Sequence, residues 1–176
     1  TDEIAYGLED SGTKLSIGDV ERVRTAAPSL SRLGIRAVVV RHDGELPDGV
    51  DRMDEILKSG ATMPDVSVGP AEDATIWFTS GTTGFPKGAV STPFAVLSSL
   101  QSFACRALAG ALSQPPKEPH PFETCFILAV PLFHVTGLVP VMLSCFMNGI
   151  KLVMMYKWSP ERALELIEGE QVTQFV

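Results

Sequence analysis

Residues 74–88 read ATIWFTSGTTGFPKG, and the two parts of this stretch have different physical characters. Ala74 to Phe78 is a short β-branched and aromatic run, the composition of a strand. Thr79 to Gly88 then places three glycines, four hydroxyl residues, one proline and one lysine in a single run. Gly81, Gly84 and Gly88 permit left-handed backbone angles and close approach to a ligand. Successive N–H groups in such a loop can converge on an anion. Thr79, Ser80, Thr82 and Thr83 each add one donor and two acceptors. Lys87 adds a mobile positive charge, and Pro86 stiffens the chain just before it. This set suits the phosphates of a nucleotide. It is not a Walker A loop, because Lys87 is followed by Gly88 and not by Ser or Thr. It is not a dinucleotide fingerprint either, since no G-x-G-x-x-G occurs. Composition alone leaves two readings open: a phosphate loop, or a solvated Gly/Ser/Thr hinge between strands.

Working outward, strand-like and helix-like segments alternate. Upstream, Lys14 to Ile17 reads as a strand ended by Gly18. Asp19 suits the N-cap of a helix that begins near Val20, is interrupted at Pro28 and finishes before Gly34. Arg36 to Val40 (RAVVV) reads as a strand covered on both faces. Asp43 to Asp48 is turn-like, Val50 to Leu57 reads as a short helix, and Ser59 to Asp73 as a connector. Downstream, Ala89 to Ser91 is a brief strand, and Pro93 fits the first turn of a helix running towards Leu112. Ser113 to Pro121 (SQPPKEPHP) is a Pro-rich surface loop. Thr124 to Val130 is a strand, and Thr136 to Met147 a mostly apolar, buried helix. Lys151 to Tyr156 is a strand. Ser159, Pro160 and Glu161 open a last helix as N-cap, first helical residue and first-turn acid, and Val172 to Val176 is a final strand. The alternation predicts α/β architecture with a largely parallel sheet flanked by helices on both faces.

Composition narrows the function. The chain has 176 residues, 45% hydrophobic and 20% charged, which argues against global disorder. Its net charge of -7 makes it a poor general nucleic-acid binder, since affinity for phosphate backbones comes mainly from Lys and Arg. Cys105, Cys125 and Cys145 are odd in number and form no Cys-x-x-Cys pair. They read as reduced, buried thiols of a cytoplasmic protein, with no metal site. TDEIAYGLED at the N-terminus lacks the basic and apolar regions of a signal peptide. Residues 126–150 contain no Asp, Glu, Lys or Arg and are long enough for a membrane span. Pro131, His134, Gly137, Pro140, Asn148 and Gly149 interrupt them, so strand, loop and buried helix is the reading, with no membrane span. His42, beside Asp43, and His120, in the Pro-rich loop, are expected to be exposed. Nothing here fixes the oligomeric state.

TSGTTGFPKG over Thr79–Gly88 resembles the signature of the adenylate-forming superfamily: acyl- and aryl-CoA synthetases, luciferases and the adenylation domains of peptide synthetases. Val130 to Leu138 (VPLFHVTGL) is similar to that family's next motif, at the carboxylate pocket. The flanks read like its large N-terminal domain, so the resemblance covers essentially the whole chain. The Pro-Leu-Phe-His form is most like an acyl-CoA synthetase, whereas Pro93 stands where many relatives carry His.

The resemblance implies a two-step ligase that uses ATP, Mg and CoA. A carboxylic acid, by this likeness a fatty acid, is activated as its acyl-adenylate and then transferred to CoA. Thr79, Ser80, Gly81, Thr82, Thr83, Gly84 and Lys87 would hold the β- and γ-phosphates, and His134 would orient the carboxylate; otherwise His134 is a core histidine at a strand end. Val139, Met142, Leu143 and Phe146 would wall an acyl pocket or simply pack the core. The family's glutamate motif for Mg, its ribose-binding aspartate, its hinge and its lid-domain lysine do not occur in these residues. Residues 1–176 are therefore expected to be a central fragment of the AMP-binding N-terminal domain, without the C-terminal lid and inactive alone. Two alternatives remain: a stand-alone nucleotide-binding or interaction domain, and a luciferase-like or amino-acid-activating enzyme.

Overall fold

The computed structural model describes residues 2–42, 45–57, 60–79, 84–115, 118 and 120–176. The chain forms two units: residues 1–68 with 75–90, and residues 69–74 with 91–176.

The first unit holds α1 (Asp2–Asp10), β1 (Leu15–Gly18), α2 (Val20–Leu33), β2 (Arg36–Val39), β3 (Val50–Arg52), α3 (Met53–Ile56), β4 (Thr75–Thr79) and most of β5 (Lys87–Ser91). Asp19 caps α2 as expected, accepting from the Arg22 N–H at 2.9 Å. That backbone hydrogen bond is the main cause of its lowered carboxyl pKa. Gly34 ends the helix in the left-handed region, φ 64°, with its N–H turned back to Leu30 and Ser31 carbonyls. Pro28 does not interrupt α2. Its missing donor leaves one carbonyl a turn earlier unbonded, at a cost of about 3 kcal/mol. Burial of Val23, Ala26 and Leu30 against Ile35, Ala37 and Val39 opposes that cost.

β2 lies between β1 and β3 and is parallel to both. Val38 and Val39 point to opposite faces and are 3% and 1% exposed, so β2 is covered on both sides. Val50–Leu57 is not a single helix. Its first three residues pair with β2 as β3, and only Met53–Ile56 is helical. The unpaired edge of β2 supplies backbone partners that override the weak local helix preference. Helix α1 was not foreseen. Its signals are Asp2 and Glu3 in the first turn and Ile4 and Leu8 one turn apart.

The second unit holds α4 (Pro93–Leu112), β6 (Cys125–Leu128), a π-helical segment Gly137–Leu143, α5 (Ser144–Asn148), β7 (Lys151–Met154), α6 (Pro160–Gly169) and β8 (Gln174–Phe175). β6 is central, parallel to β7 and β8. Ile127 is fully buried and Leu128 6% exposed, so this strand too is covered on both faces. Helix α6 packs Ala163, Leu166 and Ile167 over Cys125, Ile127 and Val153. Thr92 and Ser159 cap α4 and α6 by accepting from Ala95 and Arg162 N–H groups, each at 3.2 Å.

The α/β class and its parallel strands are as expected, but the strands are divided between two three-stranded sheets, with β4 and β5 forming a separate pair. The apolar stretch at 136–147 is buried on one side only: Gly137, Val139, Val141 and Cys145 are inside, while Phe146 is 66% exposed. Pro140 lies in its π-helical part, where the wider turn tolerates a missing donor. Residues 126–150 thus form strand, loop and helix, not one span. Among the described residues, α4 alone is long and apolar enough to cross a membrane by length and composition.

His42 is half-buried, with Nε2 3.6 Å from an Asp54 carboxylate oxygen, contrary to the expected exposure. His120 is exposed, as expected. Cys125 and Cys145 are buried, but Cys105 is exposed on α4, because every residue from Gln101 to Leu112 is exposed. Burial, and secondarily the neighbouring Cys125, pushes the Cys145 thiol up from its ordinary value. Iodoacetamide at neutral pH is expected to modify Cys105 in the native chain, and the other two only after denaturation. Peptide mapping reads this directly; rapid native labelling of Cys145 would contradict the packing around β6.

Candidate functional site

The β4–β5 pair is a hairpin. The Ala74 N–H donates to the Ser91 carbonyl at 2.9 Å, and the Thr79 hydroxyl donates to the Lys87 carbonyl at 3.4 Å. Residue numbers fall on one strand as they rise on the other, so the pair is antiparallel. Thr79 ends β4 and Lys87 begins β5, so the two strands meet the ends of the run at these residues. Ser80, Gly81, Thr82 and Thr83 lie outside the described residues. The hydrogen bond brings Thr79 and Lys87 together, and Thr79, Gly84 and Lys87 are all exposed.

Gly84 has φ +127° with open space around its Cα. Its backbone angle, not crowding, demands glycine there. Gly88 has a different role from the one expected. It lies within β5 without a positive φ. A methyl group on it would stand 2.8 Å from Ile76 Cγ2 and 3.4 Å from the Phe78 ring. Gly88 therefore makes room for the β4 side chains, and backbone freedom for a ligand is not its contribution.

An aromatic contact across the unit was missed. The Tyr6 ring of α1 stacks on Phe85 at 4.8 Å and 25°, and meets Phe78 edge-on at 6.4 Å and 77°. Pairs in this range contribute about 0.5–1.5 kcal/mol beyond area burial. No sequence signal links residues so far apart in the chain.

His134 belongs to the second unit, in the loop that leaves the carboxyl end of β6. Ligands of open parallel sheets sit at such strand ends. The Ala129 N–H donates to the Val176 carbonyl at 2.6 Å, which ties the start of this loop to the end of the chain. The His134 N–H donates to the Pro131 carbonyl at 3.0 Å, while the His134 carbonyl accepts from Gly137 at 3.0 Å and Leu138 at 3.2 Å. The turn thus feeds directly into the helical segment. The imidazole is exposed beside Phe133, ring centroids 5.0 Å apart. The core-histidine alternative therefore does not hold. Of the four apolar candidates, Val139 is core, Met142 and Leu143 are half-buried, and Phe146 is exposed. Among the described residues no group of three or more His, Cys, Asp or Glu could hold a metal ion.

Gly137 is the residue on which the His134 turn closes. A methyl group there would lie 2.9 Å from the carbonyl oxygens of both Val130 and Pro131. Backbone atoms cannot move aside as a side-chain tip can. Gly137→Ala is expected to lower unfolding free energy by about 2 kcal/mol, despite the better helix propensity of alanine. Urea denaturation measures this, and unchanged or raised stability would contradict the close approach.

The sequence matches the family described as AMP-binding enzyme over residues 1–176. It is 31% identical over 173 residues to the long-chain-fatty-acid–CoA ligase FadD13 of Mycobacterium tuberculosis, covering 97% of this chain and 31% of that protein. It is 33% identical over 171 residues to the 2-succinylbenzoate–CoA ligase of Geobacillus kaustophilus, covering 97% of this chain and 29% of that one. The fold superposes on a crystal structure from Rhodopseudomonas palustris, assigned as a long-chain-fatty-acid CoA ligase, with TM-score 0.74, 25% identity, and coverage of 99% of this chain and 40% of that one. The chain thus spans about three-tenths of the length of these curated relatives.

Proposed function

The chain belongs to the AMP-binding enzyme family, and from that premise we propose that it carries the phosphate-gripping hairpin and the carboxylate-side turn of an adenylate-forming acyl-CoA ligase. The observation that carries this reading is that Thr79 and Lys87, which bound the run in sequence, are both exposed and joined by a hydrogen bond where β4 ends and β5 begins. In the reaction proposed, a carboxylate oxygen attacks the α-phosphorus of ATP and pyrophosphate leaves. The thiol of CoA then attacks the acyl carbon, and AMP leaves.

Charge builds on the departing pyrophosphate. Donors already in place there stabilise it without reorganising at the moment of reaction. The ammonium of Lys87, the hydroxyl of Thr79 and the backbone around Gly84 are the described groups suited to that task. His134, in a turn closed by its own hydrogen bonds to Pro131 and Gly137, would orient the carboxylate. Mg would come bound to the nucleotide, since no acidic cluster among the described residues suits it. The relatives' names span fatty and aryl acids, and we propose a fatty acid for this chain. With three-tenths of the relatives' length covered, we further propose that these residues work as part of a longer polypeptide. The lid and the CoA site would lie outside them.

The test is carboxylate-dependent ATP–pyrophosphate exchange, measured on this chain and on the product of its complete reading frame, across short, medium, long-chain and aromatic acids. Exchange in the complete product only, strongest with aliphatic acids, is the expected result. Lys87→Ala in that product should lower the exchange rate by on the order of 100-fold and leave folding intact. His134→Ala should raise the KM for the acid and spare that for ATP. Nucleotide binding without exchange in either protein would favour a stand-alone binding module instead.

A further inference from the structure

The ring of Tyr6 touches both stems of the hairpin tip: Phe78, one residue before Thr79, and Phe85, two residues before Lys87. Helix α1 is itself held to the rest of the unit. Leu8 packs against its core, and Glu9 pairs with Arg32 of α2 at 3.0 Å. Leu8 follows Tyr6 by two residues, about 200° round the helix, so the core contact lies on the face away from the ring, while Glu9, three residues on, pairs on the ring's side. Phe85 is 63% exposed and sits between Gly84, with its left-handed backbone, and Pro86.

We infer that Tyr6 is a positioning residue for Lys87: its ring holds Phe78 and Phe85 against α1 and so sets how the nearby Lys87 is presented to phosphate. This rests on the phosphate-loop reading for its function, but not for its geometry. Both contacts are made by the ring, so phenylalanine should serve in place of tyrosine. The neighbouring tip residues then keep their spacing before any ligand arrives, which is the preorganisation that anion binding rewards.

The experiment uses this chain, unmodified and as Tyr6→Ala, Tyr6→Phe, Phe85→Ala and the Tyr6→Ala/Phe85→Ala pair. Two readouts are taken: amide hydrogen exchange at Phe85 and Lys87 without ligand, and binding of inorganic pyrophosphate by calorimetry. Tyr6→Ala is expected to speed exchange at these amides about tenfold and to weaken pyrophosphate binding by a similar factor, roughly 1.4 kcal/mol. Tyr6→Phe should match the unmodified chain in both, and Phe85→Ala should add little to Tyr6→Ala in the pair. Phe85 is exposed, so its variant tests the contact even if Tyr6→Ala folds poorly. Unchanged exchange in both single alanine variants, or a Tyr6→Phe variant that behaves like Tyr6→Ala, would overturn the inference. Faster exchange without pyrophosphate binding by the unmodified chain would uphold Tyr6 as the tether and overturn the phosphate reading instead.

Discussion

Burial of one central strand on both faces governs each unit. In β2, the adjacent Val38 and Val39 are both buried; in β6, Ile127 and Leu128 are. Such strands have no solvated face on which to place polar chemistry. Reactive groups are therefore confined to strand ends, to loops and to elements outside the parallel sheets. His134 occupies the loop after β6, and Thr79 and Lys87 lie on a strand pair that belongs to neither parallel sheet.

The two glycines at the centre of these sites solve different steric problems. Gly84 supplies a backbone angle that an L side chain rarely adopts, while Gly137 supplies room for a turn to close on its own carbonyls. Gly88, which looks in sequence like a third member of a phosphate-loop set, spaces Ile76 and Phe78 across the hairpin. A glycine-rich run therefore combines backbone-angle and packing requirements, and a substitution at one position need not report on the other.

Local signals were legible and tertiary ones were not. Asp19, Pro93, Gly34 and the Ser159-Pro160 pair marked helix ends because capping is a short-range hydrogen-bond problem. RAVVV and the apolar run after Thr124 marked the central strands because double burial removes alternation. Pro28 misled because its local cost is smaller than the packing of the helix around it. Val50 misled because an unpaired strand edge, invisible in sequence, decides its conformation. For the site, the residue types of Thr79–Gly88 were compatible with a phosphate loop, and the phosphate role proposed for them comes from the family resemblance. The Tyr6 tether and the spacing role of Gly88 depend on contacts between distant residues, and no pattern in the sequence encodes them.

If the segment joining β4 to β5 grips phosphate, a titration of this chain with Mg-ATP, followed through backbone amide chemical shifts, will give saturable shifts concentrated between Thr79 and Gly88, reproduced by pyrophosphate and lost in Lys87→Ala. Shifts centred elsewhere, or none at millimolar nucleotide, would contradict it.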